Sequence, residues 1–598
     1  MRRVSVLCMC LLIVSAATVG DVANTVHNLS SSGPGTGAFK SLTEDRICIF
    51  CHTPHAATPE TPLWNRLSTG AYTPYQSSTT DAAAGNMSSS SDLCLSCHDG
   101  TIALGDLVNP GAGVTNDLST TFLTGRALIG SDLSNDHPVA IIYDPNLLAT
   151  DPDLLSPAVV DLPLKNGELH CSSCHDPHKN IHPPFLHKPT LNGELCITCH
   201  IPTGPTWDWT TSSHATSLAS PPMGTDPWAE RKPAWVGQNV RENACMNCHT
   251  PHNAATPVRL IKDQEEQTCY LCHDGTVAQD ILSEELKFSH HPVEMTPNLD
   301  HDSVRAENPL TMSFHVECED CHNPHGSYSS PPMISFNPAN PADTNHTTAP
   351  FVNGSMVGVT GIDSGGAVKP EVDYEYEVCF KCHGVPGKSA CDNQRCSTAT
   401  GYSMTRQDGV YNLRDKVDPG NPALVSYHPI TANDPFNNGE VPSLRTDIPL
   451  DTSSSLIYCS DCHSSNVSPA AGGVGTAGSH GSTFEGILAL PYDFDPQTAT
   501  SANNLCYKCH NAASLEVSFI HSKHVGANTT CINCHDPHGS TKFPHLLNFL
   551  TFANVTGPME ITGTGAFTEP TWVDNGQYSG ACYLVCHGKT HDGWSYPP

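Results

Sequence analysis

The chain has 598 residues, of which only 15% are charged, and it carries 45 glycines, 49 prolines and 28 cysteines. Its 60 acidic against 28 basic side chains give a net charge of −32 at pH 7, which argues against nucleic acid or an anionic membrane surface as partner and favours partners with basic faces. So little charge with so much glycine and proline also argues against an enzyme built from long amphipathic helices.

In chain order, residues 1–20 read as a secretory signal: Arg2 and Arg3, an apolar run from Val4 to Val14, then small residues, with cleavage after Ala17 or Gly20. Cys8 and Cys10 would leave with it, and neither has the setting of a lipoprotein cysteine. No later stretch has enough consecutive apolar residues to span a bilayer. The mature chain is expected to be exported, to the periplasm, the outer-membrane surface or the medium.

The mature chain is punctuated by C-x-x-C-H, the attachment signature of a c-type haem, in which two thiols add across the vinyl groups and the histidine takes one axial position on iron. The signature occurs eleven times in strict form. The first six units are Cys48-Cys51-His52, Cys94-Cys97-His98, Cys171-Cys174-His175, Cys196-Cys199-His200, Cys245-Cys248-His249 and Cys269-Cys272-His273. The next five are Cys318-Cys321-His322, Cys379-Cys382-His383, Cys459-Cys462-His463, Cys506-Cys509-His510 and Cys531-Cys534-His535. A twelfth unit, Cys582-Tyr-Leu-Val-Cys586-His587, has one extra residue between its thiols. Twelve c-type haems are expected, at about 50 residues each, too few for twelve apolar cores. The fold class that follows is loop-rich, with short helices around a covalent haem stack and little sheet. Cys391 and Cys396, which lack a following histidine, are expected to form a disulfide.

The units repeat in a larger pattern. CHTPH at His52 and His55, CHDGT at His98, His137-Pro138-Val139 and CHDPH at His175 and His178 recur as CHTPH at His249 and His252, CHDGT at His273, His291-Pro292-Val293 and CHNPH at His322 and His325. Two shorter copies follow: His428-Pro429 with His463 and His510, then His521 and His524 with His535, His538 and His587. Beyond the signal at 1–20, this divides the chain into tetrahaem modules 21–205 and 206–400 and dihaem modules 401–515 and 516–598. After His463 the CHxPH pattern is broken, but His480-Gly481-Ser482-Thr483 matches His538-Gly539-Ser540-Thr541, so 466–479 reads as an insertion that displaces the histidine.

The repeats supply one candidate distal histidine per haem: His27, His55, His137 and His178 in module one, and His214, His252, His291 and His325 in module two. Module three offers His428 and His480, and module four His524 (or His521) and His538. In CHxPH, the proline opposes helix and the loop is too short to pass round its own porphyrin, so each such histidine is expected to clamp a second, neighbouring haem.

CHTPH, CHDGT and CHDPHG, as at His249–His252, His273–Thr276 and His535–Gly539, make the chain resemble bacterial multihaem c-type cytochromes with doubled C-x-x-C-H motifs, including those of metal-reducing bacteria. The resemblance implies long-range electron transfer in envelope or extracellular respiration. It implies other redox proteins as partners, together with an outer-membrane porin or an extracellular acceptor. No catalytic residue is expected. Two other readings are a multihaem reductase of nitrite, hydroxylamine or tetrathionate type with one open haem, and a self-assembling filament subunit.

Overall fold

The residues between paired cysteines set the local backbone. Cys171–Cys174, Cys318–Cys321, Cys459–Cys462 and Cys531–Cys534 are each a single α-helical turn. In each, the residue before the second cysteine folds back as a cap. Ser173, Asp320, Asp461 and Asn533 accept the backbone N–H of His170, Glu317, Tyr458 and Thr530 at 2.8–3.0 Å. A capping interaction of this kind contributes about 1 kcal/mol, enough to favour a turn too short to persist by itself.

Ile47–Phe50, Cys196–Thr198 and Ala244–Asn247 form 3₁₀ turns at three further sites. Ser90–His98 and Glu375–His383 are longer helices, and Glu265–Tyr270 and Asn504–Tyr507 are short ones. At nine of the eleven strict sites the histidine N–H closes on the first cysteine's carbonyl at 2.8–3.0 Å. The result is one stereotyped turn that sets two thiols about one helical repeat apart, with the imidazole just beyond.

The computed structural model describes residues 22–596, except 222–238, 294–307, 329–345, 386–402, 433–440, 493–503 and shorter gaps of one to seven residues that include 587. The signal segment, Cys391, Cys396 and His587 therefore lie outside the described residues. The chain forms two units: Met1–Ile201 with Ala229–Gln238 and Glu242–Asp263, and Pro202–Trp228 with Asn239–Arg241 and Gln264–Pro598. The fifth C-x-x-C-H thus belongs with the first four.

Within the first unit, Ile49, Phe50, Leu104 and Leu118 pack beside Cys51 and Cys97. The buried Arg66 guanidinium donates to the carbonyls of Ser96, Ala103 and Leu104 at 2.8–3.3 Å. In the second unit, Ile362, Tyr376, Phe380, Val417 and Tyr458 pack beside Cys459, and the buried Lys381 ammonium pairs with buried Asp320 at 2.6 Å. Among the described residues no apolar cluster exceeds eight buried members, and five of the six have a motif cysteine against them. The interior is assembled around the thiols.

Strands are mostly two-residue pairs. The departure from little sheet is at the C-terminus, where Thr562–Gly563, Thr571–Gly576, Ser579–Cys586 and Lys589–Tyr596 form a four-stranded antiparallel sheet. No helix among the described residues is long and apolar enough to cross a membrane.

Candidate haem centres

Histidine rings meet in pairs. In the first unit His52 faces His178, His98 faces His27, His175 faces His252 and His200 faces His137, each at 6.2 Å between ring centroids. In the second, His273 faces His214 and His383 faces His291, at 6.4 and 6.5 Å. His322 faces His480 at 5.7 Å, His463 faces His538 at 6.1 Å and His510 faces His428 at 6.4 Å. His535 faces His521 at 6.3 Å, and His524 faces His591 at 6.0 Å. Two metal–imidazole bonds of about 2 Å, plus the two ring radii, require close to 6 Å between centroids. The pairs have the spacing of axial ligands on either side of a porphyrin iron.

The rings are also turned correctly. Nδ1–H donates to a backbone carbonyl from His98 (Ala127, 2.6 Å), His175 (Pro184, 3.0 Å), His249 (Arg259, 2.8 Å), His463 (Gly486, 2.7 Å) and His535 (His545, 2.8 Å). A carbonyl can only accept, so Nδ1 holds the proton and the Nε2 lone pair is left to face a metal. His322 and His480 confront each other Nε2 to Nε2 at 3.5 Å. Burial, and then the facing imidazole, hold His137, His175, His273, His383, His510 and His535 down at about 4, and His480 at about 3. These rings are neutral at pH 7 and able to coordinate.

One recurring junction supplies the partners. His27, His214 and His291 donate Nδ1–H to the carbonyls of Pro177, Pro324 and Ser479 at 2.8–3.0 Å, and His428 donates likewise to Pro537. His137 reaches Pro251 through its backbone N–H at 2.8 Å. Every acceptor is the residue just before a CHxPH histidine or its displaced counterpart: His178, His325, His480, His538 and His252. His480 sits in this junction like the others, which explains the broken motif after His463. At the C-terminal end, His521 and His524 share one tight turn, with the His524 N–H on the His521 carbonyl at 2.9 Å.

Acidic groups orient several rings. Asp136 accepts from His252 Nδ1 at 3.0 Å, and Asp176 and Asp536 lie 3.6 and 3.7 Å from the Nδ1 atoms of His178 and His538. Burial opposes ionisation of Asp536, yet Arg406, His538 and Lys416 hold its carboxyl well below the usual range. The aspartate of CHDPH therefore aims the histidine two residues after it. Asp136 does the same for the CHTPH loop that lacks one.

The thiols reveal an order. First cysteines are electrostatic neighbours in pairs: Cys94 with Cys171, Cys196 with Cys245, Cys379 with Cys459 and Cys506 with Cys531. Second cysteines lie near each other in the alternate steps. Burial and then Cys97 push Cys51 up to about 12, and burial and then Cys199 do the same to Cys174. Cys462 likewise raises Cys509. Burial comes first at Cys321 and Cys534 too, where Cys382 and Cys586 add to it. From the first motif to the fifth in the first unit, and from the seventh to the twelfth in the second, motifs that follow one another in sequence are thus neighbours in space, joined alternately through second and first cysteines.

Several expectations are corrected. Four clamp histidines face the motif two earlier, a pairing the repeats left open: His178 faces His52, His252 faces His175, His480 faces His322 and His538 faces His463, the last three across a module boundary. The short loop cannot double back, and the adjacent motif is already capped from upstream. His55 is exposed and faces no histidine ring among the described residues. His521, offered only as a substitute for His524, has its own partner in His535, and His591 was missed. The repeated turn around His521 and His524 could have suggested the first, but no spacing marks the second. His249 lies in the first unit, and His325, in the second, packs edge-on to Trp209 at 5.8 Å. His170 and His346 bind Glu168 and Asp461 at 3.0 and 3.2 Å as buried supporting groups.

The eleven strict sites fit a porphyrin bound through two thioethers. The twelfth does not in that form, because Cys582 and Cys586 stand on the extended strand Ser579–Cys586.

Comparison with known proteins agrees with this chemistry. Residues 162–204 and 238–278 match the doubled CXXCH motif family. A multiheme cytochrome MtrA from Shewanella baltica (strain OS185) is 25% identical over 172 residues, covering 27% of this chain and 36% of that protein. The chain therefore matches little more than a third of that relative's length. In these segments the chain is similar to multihaem c-type cytochromes of the doubled C-x-x-C-H type.

Proposed function

We propose that this protein conducts electrons along a file of twelve c-type haems that follow the order of their motifs in the sequence. The alternating cysteine neighbours within each unit carry the reading. A thioether marks the edge of its porphyrin, so neighbouring cysteines bring haem edges close together, and tunnelling falls exponentially with the gap between edges. In this reading the facing histidines close both axial positions of eleven irons, with His27, His137, His178, His214, His252, His291, His428, His480, His521, His524 and His538 on the distal sides. Paired imidazoles favour low potentials and close those eleven irons to a substrate.

The conduit would be exported, and its acidity suits redox partners with basic faces. The relative's description as a multiheme cytochrome supports a role in electron transfer; a porin or extracellular acceptor is the partner this role calls for at the cell envelope. Low-temperature paramagnetic resonance with an iron count tests the reading. Twelve irons, at least eleven of them low-spin, are expected. A native high-spin ferric haem that reacts with nitrite or hydroxylamine would instead mark a reductase.

A further inference from the structure

The C-terminal site is built differently from the other eleven. Ser579–Cys586 pairs with Lys589–Tyr596 in the register Cys586 to Lys589 and Leu584 to His591. Paired residues share a face of the sheet, as do alternate residues along a strand. Cys582, Leu584, Cys586 and His591 therefore project to one side. That side is covered: Leu584 is buried with Phe549 and Ile561, and Cys582, Cys586 and Cys534 pack against the same cluster. His591 faces His524 at 6.0 Å, a spacing within the range of the ten pairs that include a motif histidine. His524 in turn shares its turn with His521, the partner of His535.

The thiols do not follow the same rule. Four residues of strand at about 3.3 Å each separate the Cys582 and Cys586 backbones by about 13 Å. Residues one helical turn apart, as at the other sites, are separated by about 5–6 Å. A porphyrin whose vinyl groups match the helical pair cannot reach both strand cysteines. Of the two, Cys586 is the second cysteine of its motif, and the second cysteine of the eleventh motif, Cys534, packs against the same cluster, which continues the alternation.

We propose that the C-terminal haem is bound through a single thioether, to Cys586, with His524 and His591 as its axial ligands. The Cys586 S–H adds across one vinyl group of haem b: the sulfur–carbon bond forms at the inner vinyl carbon, the hydrogen goes to the outer one, and the double bond is lost. Nothing leaves and no net oxidation occurs. The second vinyl group and the Cys582 thiol stay unreacted.

This proposal rests on the haem reading of the chain, but its test reads the C-terminal peptide alone. The full holoprotein is denatured, alkylated with iodoacetamide, digested and mapped by mass spectrometry. Haem on Cys586 with alkylated Cys582 is the expected result. A peptide in which haem blocks both cysteines, or one without haem, overturns it. Haem-free peptides at the eleven strict sites would instead overturn the conduit. In the full chain, His591→Gln should leave the haem count unchanged and turn one haem high-spin; a fully low-spin spectrum overturns the axial assignment.

Discussion

Asp136 shows how much a single side chain adds to these sites. It is buried and takes the Nδ1–H of His252, the ring that faces His175. A carboxylate at that position pushes electron density into the imidazole and strengthens its bond to ferric iron. Asp136→Asn should raise the potential of that haem by about 60 mV, the equivalent of a tenfold loss in preference for ferric over ferrous iron. Voltammetry of the adsorbed protein would show one wave displaced and the rest unmoved; an unchanged set of potentials would count against the role.

The same rings set an acid limit. His175, His383, His510 and His535 are held near 4, below the usual 6.5, by burial and then by their partners. A lowered folded value means that an unfolded or released ring binds protons more readily. Stability from these rings is therefore complete above about 6.5 and declines as pH falls toward 4. Bound iron competes with the proton and pushes in the same direction. Optical titration should show low-spin haem retained to near pH 4, whereas ligand loss beginning above pH 6.5 would contradict the assignment.

At the scale of the element, the helical turn of each motif does two jobs: it sets the thiols and it locks to the next motif. Lys381, between the cysteines of the eighth unit, buries its ammonium against Asp320, which stands between those of the seventh. Lys508 of the tenth donates to the Asp461 carbonyl of the ninth at 2.6 Å. Lys381→Met would strand a buried carboxylate and should destabilise the second unit by about 3–5 kcal/mol in chemical denaturation. A cost below 1 kcal/mol would show that the pair is incidental.

Elements were easier to read than their pairings. C-x-x-C-H announces a turn because cysteine spacing and helical rise agree, and the repeats exposed the displaced His480 without any coordinates. Which motif a histidine faces depends on carbonyls supplied by residues remote in sequence, such as Pro177 for His27. No local pattern encodes that choice. The extended strand under Cys582 was equally hidden, since β pairing with Thr571–Gly576 overrides the expectation raised by a near-match to the motif.

For the whole molecule, the two-back pairing of His252, His480 and His538 makes the repeat modules interdependent. Residues 21–205 contain four complete attachment signatures, yet the partner of His175 is His252. That fragment should hold four haems with one of them high-spin and quick to bind carbon monoxide. The full chain carrying His252→Gln should show the same single open haem. Four low-spin haems in the fragment would disprove the two-back pairing.

The junction that joins each upstream histidine to the residue before a CHxPH ligand also constrains how the protein is made. His52 emerges on the nascent chain long before His178, and His322 long before His480. A porphyrin whose distal histidine lies downstream, as at His52, His175, His322 and His463, must spend part of its maturation with one face bare, awaiting a lid still to be translocated. During that interval a half-built cytochrome can bind gases and react with oxygen, and a stalled export intermediate would be recognisable by those reactions before any change in its haem content.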